Sequence, residues 1–215
     1  MSTLEGAERP AASISPALFA VTIFASAGLV FLVQPMVAKL VLPLLGGSPS
    51  VWNTSIAFFQ TALLAGYGYA HLLQKVSAVR TQAIIHLGML LAAALVLPLH
   101  VSGLVGEPSS NHPSLWLLGV LTVSVGAPFA VLSATAPLVQ AWHARTIHAE
   151  TGAEPYVLYA ASNMGSLLAL LAYPVLVEPL ATLRGQTYGW TIGHGGVILL
   201  MATLALFVAR TPAAA

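Results

Sequence analysis

Very few side chains in this sequence could do chemistry, and most of those sit inside long apolar runs. Gln34 and Lys39 fall in one run, Gln60 in the next, His86 in a third, Asn163, Ser166, Tyr173 and Glu178 in a later one, and His194 in the last. A polar group at membrane depth is costly to keep, so each needs a partner or a function. Gln34, Gln60, Asn163 and Ser166 lie near the middle of three different runs, with Tyr173 in the same set. Amides and hydroxyls placed so either line a polar cavity along a substrate path or hydrogen-bond between helices, at about 0.6 kcal/mol per contact. Lys39 and Glu178 lie toward the ends of their runs. Either each reaches water independently along its aliphatic stem, or the two form an ion pair that joins their helices.

Several kinds of chemistry are excluded. The sequence has no cysteine, so disulfides, thiolate metal sites and cysteine nucleophiles are ruled out. It has no aspartate, and of its six acidic residues only Glu178 adjoins an apolar run. Neither a Ser-His-acid pattern, nor a G-x-G-x-x-G loop, nor a P-loop occurs. No catalytic residue and no enzyme activity are expected. Of the seven histidines, His71, His100, His112, His143 and His148 sit at run ends or in connections, where a solvated imidazole is the default. His86 and His194 lie within runs and are weak candidates for axial ligation of a haem or pigment. They show no bis-histidine spacing on one helix, so no metal and no cofactor are expected.

The elements that must position these residues follow from composition. Hydrophobic residues make up 58% of the 215 residues and charged residues 6%, and the mean hydropathy is +0.88. A soluble domain carries about 25% charged residues; so few charges cannot cover a water-facing surface but can cover a lipid-facing one. A helix needs roughly 20 apolar residues to cross a bilayer, and six segments qualify: 16–45, 51–73, 82–101, 114–142, 156–177 and 188–209. The fold class is therefore an all-α integral membrane protein with a six-helix transmembrane domain over 16–210, between tails 1–15 and 211–215. The breaks carry turn chemistry at Gly46-Gly47-Ser48-Pro49 and from Gly106 to Pro113. The first apolar run is too long for a cleaved signal peptide and lacks a basic n-region, so it is expected to be retained. Pro35, Pro128, Pro137 and Pro174 fall inside spans. Gly189 and Gly193, four residues apart in the last span, are candidates for close packing against another helix.

A block of residues carries a family resemblance. It runs from Phe31 through Gln34-Pro35 and Lys39 to Gly46-Gly47-Ser48-Pro49 and Trp52-Asn53-Thr54, and continues through Phe58-Phe59-Gln60 to Gly66-Tyr67-Gly68-Tyr69-Ala70-His71. A second block runs from Ser162-Asn163-Met164-Gly165-Ser166 to Tyr173-Pro174 and Glu178-Pro179. Both resemble the membrane part of fused major-facilitator/spermidine-synthase-like bacterial proteins. The resemblance implies a helical unit like half of a major facilitator, preceding a cytoplasmic aminopropyltransferase-like domain. His71 stands where major facilitators carry an acidic residue between their second and third helices. No synthase-like domain is found within these residues, so polyamine-synthesis activity is not carried over.

Three functions are consistent with this pattern. The first is a non-catalytic membrane subunit or anchor that packs in the bilayer against a membrane-protein partner or a second copy. The second is a small-solute transporter, for a polyamine among others, working as a dimer of six-helix units. The third is a pigment- or haem-associated membrane subunit. No basic run points to nucleic acid. Lys and Arg in short loops set orientation. Arg9, Lys75, Arg80, Arg145 and Arg210 collect on one side, against Lys39 and Arg184 on the other. That bias predicts a multi-pass protein of a bacterial inner membrane with both termini cytoplasmic. A phosphatase reporter active only in the periplasm, fused after Ala215, is expected to stay silent; strong activity there would contradict both the span count and the orientation.

Overall fold

The computed structural model describes residues 16–101, 103–108, 111–145 and 156–208. The expected tails 1–15 and 211–215, with Arg9, His148 and Arg210, lie outside the described residues. Six helices are long and apolar enough to cross a membrane: α1 (Pro16–Leu45), α2 (Pro49–Leu73), α3 (Val79–Val96), α4 (Pro113–His143), α5 (Tyr156–Leu180) and α6 (Leu183–Val208). The described residues contain no strand. The chain is an all-α bundle of six membrane-spanning helices.

The helix ends follow local chemistry. Gly46 leaves α1 with a φ of 72°, a backbone that suits glycine, and its N–H returns to the Leu42 carbonyl at 2.9 Å. Ser48 then caps α2 by accepting the Val51 N–H at 3.4 Å, with Pro49 as the first helical residue. Two ends differ from expectation by five residues. α3 was expected to reach Val101 but stops at Val96, because the residue before a proline is pushed out of the helical region; Leu97, preceding Pro98, is extended at φ −94° and ψ 153°. α6 was expected from Tyr188 but begins at Leu183, because the Thr182 hydroxyl accepts the Gly185 N–H at 3.2 Å and caps the helix early. Arg184, expected in a loop, therefore sits in the first turn of α6, with its guanidinium 5.7 Å from the centre of the Tyr188 ring.

Two prolines leave a visible mark within spans. Proline has no N–H to give to the carbonyl four residues back, and its ring crowds that carbonyl. Wider π turns relieve the crowding at Thr122–Gly126, just before Pro128, and at Tyr173–Val177, around Pro174.

α1 is the central helix and packs against α5, α6 and α4. α4 holds α2 and α3 on its other sides, and α3 also meets α6. Phe19, Ile23, Phe129, Leu138, Trp142, Met201 and Leu204 are fully buried where these helices meet. Consecutive α1 and α2 touch little, which leaves a gap between them that becomes the site described below.

Two glycines permit the closest crossings. A Cβ on Gly165 of α5 would strike the Phe24 backbone of α1, and a Cβ on Gly66 of α2 would strike the Ala130 carbonyl of α4. Backbone cannot move aside as a flexible side chain can, so these crossings exist only with glycine. Gly193 meets α1 of its own chain, its Cβ position lying 2.8 Å from Leu29 Cδ2, whereas Gly189 has nothing within 4 Å. The expected Gly189/Gly193 pair is thus split: Gly193 packs internally and Gly189 faces outward. Gly165→Ala and Gly66→Ala should each destabilise the bundle by about 3 kcal/mol, and Gly189→Ala should not. Thermal unfolding in detergent measures this; equal midpoints for all three variants would contradict the assigned crossings.

Candidate functional site

A cleft of about 600 Å³ opens between α1, α2 and α5. α1 contributes Gln34, Pro35, Ala38, Lys39 and Leu42 along one stripe, at the three- and four-residue spacing that aligns side chains on a helix. α2 contributes Trp52, Ser55, Ile56 and Phe59, and α5 contributes Leu170, Tyr173, Pro174 and Glu178. The Gly46-Gly47-Ser48 turn closes one end.

At that end Lys39 Nζ and Glu178 Oε1 lie 2.6 Å apart, with the two side chains 39% and 43% exposed. The topology brings this about. α1 and α5 run in the same direction and are held together deeper in the bundle at Phe24 and Gly165. Their charged residues follow these positions by similar lengths of helix, roughly 20 Å at 1.5 Å per residue. The π turn at Tyr173–Val177 immediately precedes Glu178 and resets the face on which it projects.

The polar residues singled out from sequence divide into three groups. Gln34 and Tyr173 line the cleft. Gln34 Nε2 donates to the Val30 carbonyl of its own helix at 3.4 Å, while the Tyr173 hydroxyl turns away and donates to Gln186 Oε1 of α6 at 2.9 Å. Ser166 is half-buried and donates back to the Ser162 carbonyl at 3.0 Å, so its hydroxyl is satisfied within α5. Gln60 and Asn163 are exposed and do not line the cleft, and neither has a hydrogen-bond partner among the described residues. Gln60 continues the Trp52–Ile56 stripe of α2 by one turn. Asn163 lies seven and eleven residues before Leu170 and Pro174, on the same stripe of α5. The two amides therefore extend the rims of the cleft toward mid-depth, on the face to which the cleft opens.

The intramembrane histidines belong to a different region. His86 is fully buried, its Nε2 hydrogen-bonded to Thr135 Oγ1 at 3.1 Å and its ring stacked on Tyr69 at 5.8 Å. His194 is fully buried, donates from Nε2 to the Leu90 carbonyl at 3.2 Å, and has Trp190 against its ring at 5.5 Å. Both rings are enclosed within the bundle, and Nδ1 of each is buried without a hydrogen-bond partner. Among the described residues no three His, Cys, Asp or Glu side chains come together as a metal site. His143, expected in solvent, is 4% exposed and sits edge-on to Phe19 at 5.2 Å; the α4 helix extends to it and carries it against α1.

Sequence reasoning missed the polar cluster near the other end of the bundle. Trp142 Nε1 donates to Gln82 Oε1 at 2.8 Å, and Gln82 Nε2 donates to the Val76 carbonyl. Arg145 donates to the Gln74 carbonyl at 3.1 Å. A tryptophan near a span end needs an acceptor for its indole N–H, and that requirement was the available signal. These bonds tie α4 to the α2–α3 connection and to α3.

An interfacial pair this exposed couples by at most about 1 kcal/mol. A double-mutant cycle on thermal stability with Lys39→Met and Glu178→Gln should return a favourable coupling of about 0.5 to 1 kcal/mol; strictly additive losses would show two independent anchors.

No protein-family model, no curated protein and no solved structure matches this chain.

Proposed function

We propose that this chain is a non-catalytic integral membrane subunit that packs against a partner membrane protein, a second copy included, through the mid-depth face of α2 and α5 beside the cleft. One observation carries the reading. Gln60 and Asn163 are exposed at mid-depth with no partner among the described residues, on the helices that flank the cleft. Nothing in hydrocarbon satisfies an amide, so a face carrying two of them calls for cover by protein. The opposite side contrasts with it. The outward residues of α3 and α6 at comparable positions are Ile84, Met89, Leu91, Ile192 and Leu199, which lipid covers without loss. For α5 burial points the same way, since 17% of its apolar stretch is buried in the chain against 28% for α3 and α6; α2 equals these at 28%.

The resemblance to half of a major facilitator supports this reading, since such six-helix halves enclose their site against another six-helix unit. The loop charges favour a bacterial inner membrane with cytoplasmic termini, which places the Lys39–Glu178 end on the outer side. Transport by a pair of units is the rival reading; it requires a solute to stabilise the assembled form.

Two interhelical amide hydrogen bonds at about 0.6 kcal/mol each amount to somewhat under a tenfold change in an association constant. The Gln60→Leu/Asn163→Leu double variant should therefore associate about five- to tenfold more weakly, measured by sedimentation in mild detergent or by co-purification, with its fold unchanged by circular dichroism. A chain that is monomeric in lipid nanodiscs, and whose state the double variant leaves unaltered, would overturn the proposal.

A further inference from the structure

The cleft between α1, α2 and α5 is mostly apolar along its length and charged at one end. Pro35, Leu42, Ile56, Phe59 and Leu170 form its walls, and Lys39 and Glu178 sit beside the α1–α2 turn. Trp52, 57% exposed on the rim, is the kind of side chain that settles at the level of lipid headgroups. The volume of about 600 Å³ falls within the usual range for small-molecule sites, about 300 to 1,000 Å³ with a few polar groups fixing orientation. A volume of this kind, open to a bilayer, takes up hydrocarbon, because hydrocarbon is what surrounds it.

The ion pair specifies what the hydrocarbon carries. One contact joins Nζ to Oε1, and each side chain is about two-fifths exposed. An ammonium has three donors and a carboxylate about four lone-pair positions, so each partner keeps bonding capacity beyond the pair. A headgroup bearing both an anion and a primary ammonium satisfies both partners together. A purely anionic headgroup satisfies Lys39 but lies against the Glu178 carboxylate. We propose that the cleft is a binding site for a zwitterionic amphiphile: an acyl chain against the α1, α2 and α5 walls, a phosphate at Lys39 and an ammonium at Glu178. The site exists in the single chain and does not depend on the partner proposed above.

The test is thermal unfolding of the purified chain in maltoside detergent with added phosphatidylethanolamine, phosphatidylglycerol or soluble phosphoethanolamine. Phosphatidylethanolamine well above its dissociation constant should raise the midpoint by about 5 °C, and the other two by much less. Lys39→Met and Glu178→Gln should each erase the preference for phosphatidylethanolamine over phosphatidylglycerol. Because a charge variant can lose stability for its own reasons, Ile56→Trp provides a second arm. It fills the apolar wall, leaves both charges in place, and should abolish the shift. Equal shifts with both lipids in the unmodified chain, a full shift with soluble phosphoethanolamine, or an undiminished shift in Ile56→Trp would overturn the proposal.

Discussion

The bilayer interior offers no water to a polar group, and the arrangement of this chain follows from that constraint. Hydroxyls within the spans turn back onto their own helices: Thr22 onto Leu18, Ser55 onto Val51, Ser133 onto Phe129 and Ser166 onto Ser162, at 2.7 to 3.0 Å. Ring side chains bond across helices instead. Trp190 Nε1 reaches the Leu29 carbonyl at 2.9 Å, His194 reaches Leu90, and His86 reaches Thr135. Each such bond fixes one helix against another. Gln60 and Asn163, exposed amides with no partner among the described residues, are therefore informative. On the proposed reading, these two exposed amides on one face are what a partner would cover.

α1 and α5 build the site. They meet where glycine lets their backbones touch, at Phe24 and Gly165, and again at the Lys39–Glu178 pair. Two pins along parallel helices define a wall, and α2 stands off from that wall because it is held by α4 through Gly66. The cleft is the space this division leaves. Its polar end lies where α5 is widened by the Pro174 π turn, so the proline that interrupts the backbone also sets the direction of Glu178. The proposed ligand site and the proposed association face adjoin, and an amphiphile in the cleft would lie at the edge of a partner packed over Gln60 and Asn163.

Much of the fold was legible in the sequence because the spans are long and their turns carry Gly, Ser and Pro. The α1–α2 turn at Gly46–Pro49 and the break at Gly106–Pro113 needed no tertiary information. The ends that shifted were governed by single residues, Pro98 stopping α3 and Thr182 starting α6. The site was legible only in part. Lys39 and Glu178 read as being at equal depth, and depth follows from counting residues. Which helices are neighbours does not, so Gln34 and Tyr173 could not be separated beforehand from Gln60 and Asn163. The glycines show the same limit: Gly189 and Gly193 stand out as a spaced pair, yet the crossings that need glycine are at Gly66 and Gly165. Contact with a residue 60 or more positions away leaves no local trace in sequence. The Gln82–Trp142 bond went unseen for the same reason.

The absence of native cysteine allows a direct measurement of the central claim, that the α2–α5 face is covered by protein while the α3–α6 face meets lipid. Single nitroxide labels at Gln60→Cys, Asn163→Cys and Leu199→Cys, with the chain in its native membrane, report by spin-label relaxation how freely dissolved oxygen reaches each site. Leu199 is 70% exposed on α6 and sets the value for contact with lipid. The account predicts high oxygen access at position 199 and low access at positions 60 and 163. Equal, lipid-like access at all three would contradict it.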